Sequence, residues 1–230
     1  MDAVLPAAAD YSSARFNMVE SQIRPNKVRG QRLLDVLSNM PRENFVPPPL
    51  AGIAYIDEDL QVGANRYLME PMVLARFLEE AAIKTGERVL DIAPATGYSS
   101  AVLAMLTPNV HAVESDPLLV QQMVANLTRL QITNVSLQLG PLYDGWKPAA
   151  PYDVIIVNGA VDHIPDALAS QLADGGRLLT VVREFGPAKA AHTGEARLYE
   201  RIHGNFSHRA LFDANVKMLP GFEAKRGFSF

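Results

Sequence analysis

Residues 89–106 read VLDIAPATGYSSAVLAML, and the fold turns on how that stretch is read. Val89, Leu90, Asp91 and Ile92 are a short apolar run that carries a carboxylate, which suits a buried strand. Ala93 to Gly97 is a tight run of small residues and one proline. From Tyr98 the apolar positions Ala101, Val102, Met105 and Leu106 fall three and four apart, the spacing of one helical face. Strand, small-residue turn and helix make the opening unit of a nucleotide-binding α/β fold, in which the helix N-terminus offers unpaired N–H groups. The turn departs from the dinucleotide pattern G-x-G-x-x-G. Only Gly97 is glycine, Ala93 and Ala95 stand where glycines are expected, and Pro94 removes a donor N–H. An ordinary strand-to-helix turn of a parallel sheet explains the stretch equally well.

Outward from this unit the βα rhythm continues. Val110 to Glu114 is a strand ending in a carboxylate, Pro117 to Leu130 a helix, Val135 to Leu139 a strand, and Asp153 to Asn158 a nearly continuous apolar strand of the kind a parallel sheet covers on both faces. Pro165 to Leu172 reads as a helix opened by its proline, and Gly175-Gly176 turns the chain into a strand over Arg177 to Val182. Ala196 to His203 and His208 to Ala214 are strand-like runs joined by a four-residue link, Gly204 to Ser207, which predicts a terminal hairpin and hence one antiparallel strand. Ahead of the sheet, Tyr11 to Ile23 has helical spacing with Phe16, Val19 and Ile23 on one face. Arg29 to Met40 reads as a second amphipathic helix, and Pro47, Pro48 and Pro49 predict an extended connection. Asp57 to Pro71 reads as a loop with a turn at Gly63-Ala64-Asn65, followed by a helix over Met72 to Ala82. The expected architecture is one α/β domain over residues 1–230. Residues 1–60 form a helical cap and connection, 61–82 a loop and helix, and 83–230 a Rossmann-like core with a C-terminal hairpin.

The chain has 230 residues, 48% hydrophobic and 20% charged, enough to bury a sizeable core. A net charge of −4 carries no basic excess to neutralise phosphates, so no nucleic-acid partner is expected. Cysteine is absent, which excludes disulfides, thiolate metal sites and cysteine nucleophiles. His111, His163, His192, His203 and His208 are scattered without metal-ligand spacing, so no metal is expected. The first residues lack the basic and apolar segments of a signal peptide, and no apolar run is long enough to span a membrane. The expectation is a cytoplasmic protein.

Ligands of open α/β sheets bind outside the carboxyl ends of the strands. Glu114 stands there, where a carboxylate accepts both hydroxyls of a ribose; a solvated strand-end acid is its plain alternative. Asp91 is placed either to orient the turn or to face a cationic ligand group. Leu142, just past the third strand, is placed to pack on an adenine ring or in the core. In the loop Asn65 to Pro71, Arg66 is a candidate for a substrate carboxylate, with Tyr67 or Glu70 hydrogen-bonding beside it; a solvated loop with Leu68 and Met69 turned inward is the alternative. A ribose-binding acid alone does not separate NAD from S-adenosylmethionine. The tail hairpin favours the second.

These residues resemble the protein-L-isoaspartate O-methyltransferase family over nearly the whole chain. MPRENFVP (Met40 to Pro47), AYIDEDLQVG (Ala54 to Gly63), EPMVLARFLE (Glu70 to Glu79), the strand–turn–helix at Val89, YDVIIVNGAVDHIPDALASQLADGGRLLTVV (Tyr152 to Val182) and RALFDANVKMLPGF (Arg209 to Phe222) carry the likeness. The resemblance implies a seven-stranded, mostly parallel class I methyltransferase fold. It implies S-adenosylmethionine as cofactor, with Asp91, Ala93, Ala95, Gly97, Glu114 and Leu142 on the cofactor side, and an isoaspartyl carboxylate of a protein or peptide, or a related small acid, as substrate. The chain departs from the family pattern at functional positions. Ala93 and Ala95 replace glycines of the cofactor turn, and Pro141 stands where the family has an acid for the adenine amino group. Aligned on Pro71, Tyr67 replaces a threonine and Met69 a serine of the substrate loop, leaving Arg66, Tyr67, Met69 and Glu70 as the substrate-side candidates. The departures support a second reading, a catalytically silent protein of the same fold with a binding or regulatory role.

Overall fold

In the computed structural model, residues 10–183 and 193–222 are described. The run at Val89 is the centre of a seven-stranded sheet: β3 (Arg88–Ile92) pairs in parallel with β4 (Asn109–Glu114) on one side and β6 (Tyr152–Val161) on the other. With β1 (Leu60–Gly63) and β2 (Arg66–Leu68) forming a separate hairpin, the sheet order is β5-β4-β3-β6-β7-β8-β9, where β5 is Val135–Leu139, β7 Leu172–Val182, β8 Gly194–Ile202 and β9 Asn205–Ala214. β8 alone runs against its neighbours.

The apolar runs explain the layering. In a strand successive side chains point to opposite faces, and both faces of this sheet are covered. Val89, Val154, Ile156 and Leu179 join one buried cluster, while Leu90, Ile92, Ile155, Val157 and Leu178 join another across the sheet. The first is roofed by α1 (Ser12–Met18), α2 (Gln31–Asn39), α3 (Pro71–Ala81), α4 (Tyr98–Leu106) and α5 (Pro117–Arg129). The second is closed by Leu142, Leu168, Leu219 and Phe222, with α6 (Asp166–Ala169) contributing Leu168. No helix among the described residues is long and apolar enough to cross a membrane.

Several expectations need correction. The first helix changes register at Val19–Ile23, a π-helical turn, so Met18, Val19 and Ile23 are buried while Phe16 is left 63% exposed. Pro48–Ile53 is a 3-10 helix rather than an extended connection, because the fixed φ of proline suits the first positions of a helical turn. The stretch read as a loop at Asp57 to Pro71 contains the β1–β2 hairpin. The helix expected over Pro165 to Leu172 is only Asp166–Ala169. The main-chain carbonyl of Gln171 accepts the N–H of Tyr152, which draws the chain into β7 at once, so β7 starts at Leu172 and not at Arg177. The terminal hairpin turns on His203 and Gly204 alone (φ 51° and 81°), the positive pair that suits strand twist, while Asn205 and Phe206 already pair with Ile202 and Arg201. α4 is buried on nearly all sides, Met105 alone being exposed. His192 and residues 1–9, read for a leader, lie outside the described residues.

Candidate functional site: the turn after β3

The turn after β3 follows the left-handed backbone path of a glycine-rich turn. Ala93 and Ala95 hold φ of 61° and 54°, the left-handed region that favours glycine, and Gly97 holds 97°. The chain thus keeps the backbone path of a glycine-rich turn while carrying methyl groups on it. Gly97 could not follow suit: a Cβ there would stand 2.7 Å from Cγ of Met123. The turn is pinned on its far side by the Thr96 hydroxyl, which donates to the Phe45 carbonyl at 2.5 Å, and by Asn126, whose amide donates to the Thr96 carbonyl at 3.0 Å.

Asp91 is turned into the fold. Its carboxylate, fully buried, accepts from the hydroxyls of Ser99 (2.8 Å) and Ser100 (2.5 Å) and from the amide of Asn158 (2.6 Å), tying β3 to the start of α4 and to β6. Burial, with the Glu114 charge adding to it, pushes this carboxyl up to about 6 against the bonds that favour its charge. Asn158 also donates to the Ile92 carbonyl at 2.9 Å. It was missed in the sequence, although a lone polar residue after the run Ile155-Ile156-Val157 was a visible signal. Leu142 is buried among Ile92, Ala93 and Val113 and is a core residue here.

Glu114 stands at the carboxyl end of β4, with nothing of its side chain exposed. Oε2 accepts the Ala95 N–H at 3.0 Å, and Oε1 accepts the N–H groups of Ser115 (2.7 Å) and Asp116 (3.1 Å). Arg66 adds one further donor to each oxygen, so that Oε1 accepts from three groups and Oε2 from two. Its Nη2 donates to Oε2 at 2.8 Å and its Nη1 to Oε1, a fork-to-fork pair with Arg66 itself 4% exposed. The sequence offers Arg66 as a candidate for a substrate carboxylate, with a solvated loop as the alternative. The structure places it against an internal carboxylate, because the hairpin turn at Ala64-Asn65 aims the first residue of β2 at the end of β4.

The other loop candidates are not gathered on Glu114. Tyr67 lies under the Lys217 ammonium, 6.0 Å from ring centre to Nζ. Met69 is buried, and its carbonyl accepts from Arg42 at 2.8 Å. Glu70 stands at the N-cap position of α3, with no capping bond from its side chain, near Asp57 and Asp59; burial first, then those two charges, push its carboxyl up to about 7. Arg42 went unnoticed in the sequence. It is fully buried, donates to the Ala54 carbonyl at 2.7 Å, and lies 4.8 Å over the Tyr98 ring, joining cap, loop and α4.

Donors and space disagree over a nucleoside cofactor. Glu114 and the left-handed turn fit a ribose, yet Arg66 fills the carboxylate and Ala93, Ala95 and Leu142 are buried. A separate small pocket between the hairpin and β6, lined by Tyr67, Met69 and Asn158 and not by Glu114 or the turn, has a free volume of about 10 Å³. As folded, the Arg66 fork holds the two carboxylate oxygens that a ribose would use. Among the described residues no cluster of three or more His, Cys, Asp or Glu could hold a metal ion.

Residues 14–202 match the family model described as "Protein-L-isoaspartate(D-aspartate) O-methyltransferase (PCMT)". The chain belongs to this family. Two relatives named protein-L-isoaspartate O-methyltransferase are similar to it. That of Methylorubrum extorquens (strain PA1) is 40% identical over 173 residues, 75% of each chain. That of Gloeobacter violaceus (strain ATCC 29082 / PCC 7421) is 38% identical over 165 residues, 72% of this chain and 80% of the relative. A solved protein-L-isoaspartate O-methyltransferase superposes with a TM-score of 0.77 at 25% identity, over 90% of this chain and 66% of that one. A Plasmodium falciparum structure, described as a putative member of the family in complex with S-adenosyl-L-homocysteine, superposes with a TM-score of 0.74 at 19% identity, over 92% of this chain and 99% of that one, and shows the fold. The expected class I methyltransferase architecture and family membership both hold.

Proposed function

We propose that this protein carries the family's reaction, transfer of a methyl group from S-adenosylmethionine to the side carboxylate of an isoaspartyl residue in a protein or peptide. The observation that carries the reading is Glu114: a buried carboxylate at the end of β4, fixed by the Ala95 N–H of a left-handed turn, facing the carboxyl ends of the central strands. Membership over residues 14–202 supports the same conclusion. S-adenosylmethionine, when bound, supplies an electrophilic methyl group, and an ionised carboxylate needs little acid–base help to accept it. The demand on the protein is therefore placement of the two reactants. The absence of cysteine is in keeping with a reducing, cytoplasmic setting.

A second reading, a silent member of the family acting by binding, is favoured by one observation, the Arg66 fork on Glu114. The deciding experiment is methyl transfer from labelled S-adenosylmethionine to an isoaspartyl peptide, with the aspartyl peptide as control. Base-labile label in the isoaspartyl peptide alone is the expected result. No label from wild type or from Arg66→Ala, with cofactor binding demonstrated, overturns the methyltransferase reading in favour of the silent one.

A further inference from the structure

We infer that Arg66 is a built-in occupant of the ribose site: its guanidinium stands in for a vicinal diol on Glu114, and a nucleoside cofactor binds only by displacing it. The inference deepens the methyltransferase reading and rests on it for the identity of the ligand. A ribose presents two neighbouring O–H donors to the two oxygens of one carboxylate. The Arg66 fork presents two neighbouring N–H donors to the same two oxygens. The two cannot be held together: three backbone N–H groups and the two N–H groups of the fork already make five donors on two oxygens, more than their roughly four lone-pair sites.

The arrangement is suited to release. Arg66 sits in a two-stranded sheet of its own, so its departure breaks no bond of the seven-stranded sheet. The hairpin has a register irregularity between Gln61 and Gly63, and Asn65 at its turn holds φ 54°. Nε of Arg66 is buried with no hydrogen-bond partner, so the closed state leaves a donor unsatisfied that water would satisfy outside. Glu114 keeps three backbone donors when Arg66 leaves, so the carboxylate is not abandoned.

The test is titration calorimetry of the full chain with S-adenosylhomocysteine, which binds without turnover. Wild type is compared with Arg66→Ala and with Arg66→Lys, which keeps the charge and loses the fork. A competitor that must be displaced lowers apparent affinity by the fraction of open protein, so both variants should bind at least about tenfold more tightly than wild type. Adding Glu114→Ala to Arg66→Ala should abolish that gain. Equal affinity in wild type and variants overturns the inference, as does absence of binding to folded variants, which would lay closure on the alanine methyls instead. Should both variants fail to fold, hydrogen exchange of residues 60–68 in wild type decides. Faster exchange with saturating S-adenosylhomocysteine supports displacement, and no ligand-dependent change overturns it. Tighter binding by Arg66→Ala without methylation of the isoaspartyl peptide would sustain the inference and defeat the methyltransferase reading. Methylation by wild type with affinities unchanged would do the reverse.

Discussion

Arg66 and Glu114 are 48 residues apart in the chain and meet with Glu114 fully buried and Arg66 only 4% exposed. A buried ion pair is weak evidence for stability as a whole, but breaking one is costly because a charge is left uncompensated. The two halves are unequally supported. Glu114 without Arg66 keeps the N–H groups of Ala95, Ser115 and Asp116, whereas Arg66 without Glu114 keeps none of its bonds to that carboxylate. Arg66→Ala should therefore cost roughly 2–3 kcal/mol and Glu114→Ala more, on the order of 3–5 kcal/mol; urea unfolding of the two variants reads the order, and the reverse order would contradict this account. The alanines of the turn make a second prediction. At φ 61° and 54° an L side chain is already strained, and branching at Cβ worsens it. Ala93→Val or Ala95→Val should each cost more than about 2 kcal/mol, while the glycine variants should stay within about 1 kcal/mol of wild type, since relief of strain offsets the lost buried methyl. Thermal melts compare the four.

At the level of elements, the β3–α4 junction has a pH signature. The carboxyl of Asp91 lies near 6 in the folded protein and near 3.8 in an ordinary aspartate. The folded state therefore holds this proton more tightly than the unfolded chain does. The stability it contributes is complete below about 4 and is lost as pH rises through about 6. Unfolding free energy measured across that window should fall with rising pH more steeply in wild type than in Asp91→Asn. Parallel slopes would show that Asp91 is not the group responsible. At the other end of the turn, Gly97→Ala meets both a φ of 97° and Met123 at 2.7 Å, and should cost at least about 2 kcal/mol, seen as a lowered melting temperature.

For the molecule as a whole, Arg42 is where the parts meet. It bonds the cap through Ala54, the hairpin segment through Met69 and the sheet-facing helix through the Tyr98 ring. Arg42→Ala removes all three contacts at a fully buried position. It should destabilise the protein by roughly 3 kcal/mol, about 10 °C in Tm for a chain of this size, with faster proteolysis within residues 54–70. An unchanged cleavage pattern would mean that the hairpin is seated without it.

The parallel sheet, the ligand-type turn, the acid at the end of β4 and the terminal hairpin were all legible in the order of residues, because strand burial, helix spacing and turn geometry are local properties. The short hairpin at Leu60–Leu68 was not, since strands of four and three residues leave too little alternation to read, and the early start of β7 was not, since it depends on pairing with Tyr152 twenty residues away. The fate of Glu114 belongs to the same class. Val110 to Glu114 announces a strand that ends in a carboxylate, and nothing nearby tells whether a ribose or an arginine will answer it. That choice follows from where the turn at Ala64-Asn65 aims Arg66 once the hairpin is packed, and from the need of any buried carboxylate for donors on both oxygens.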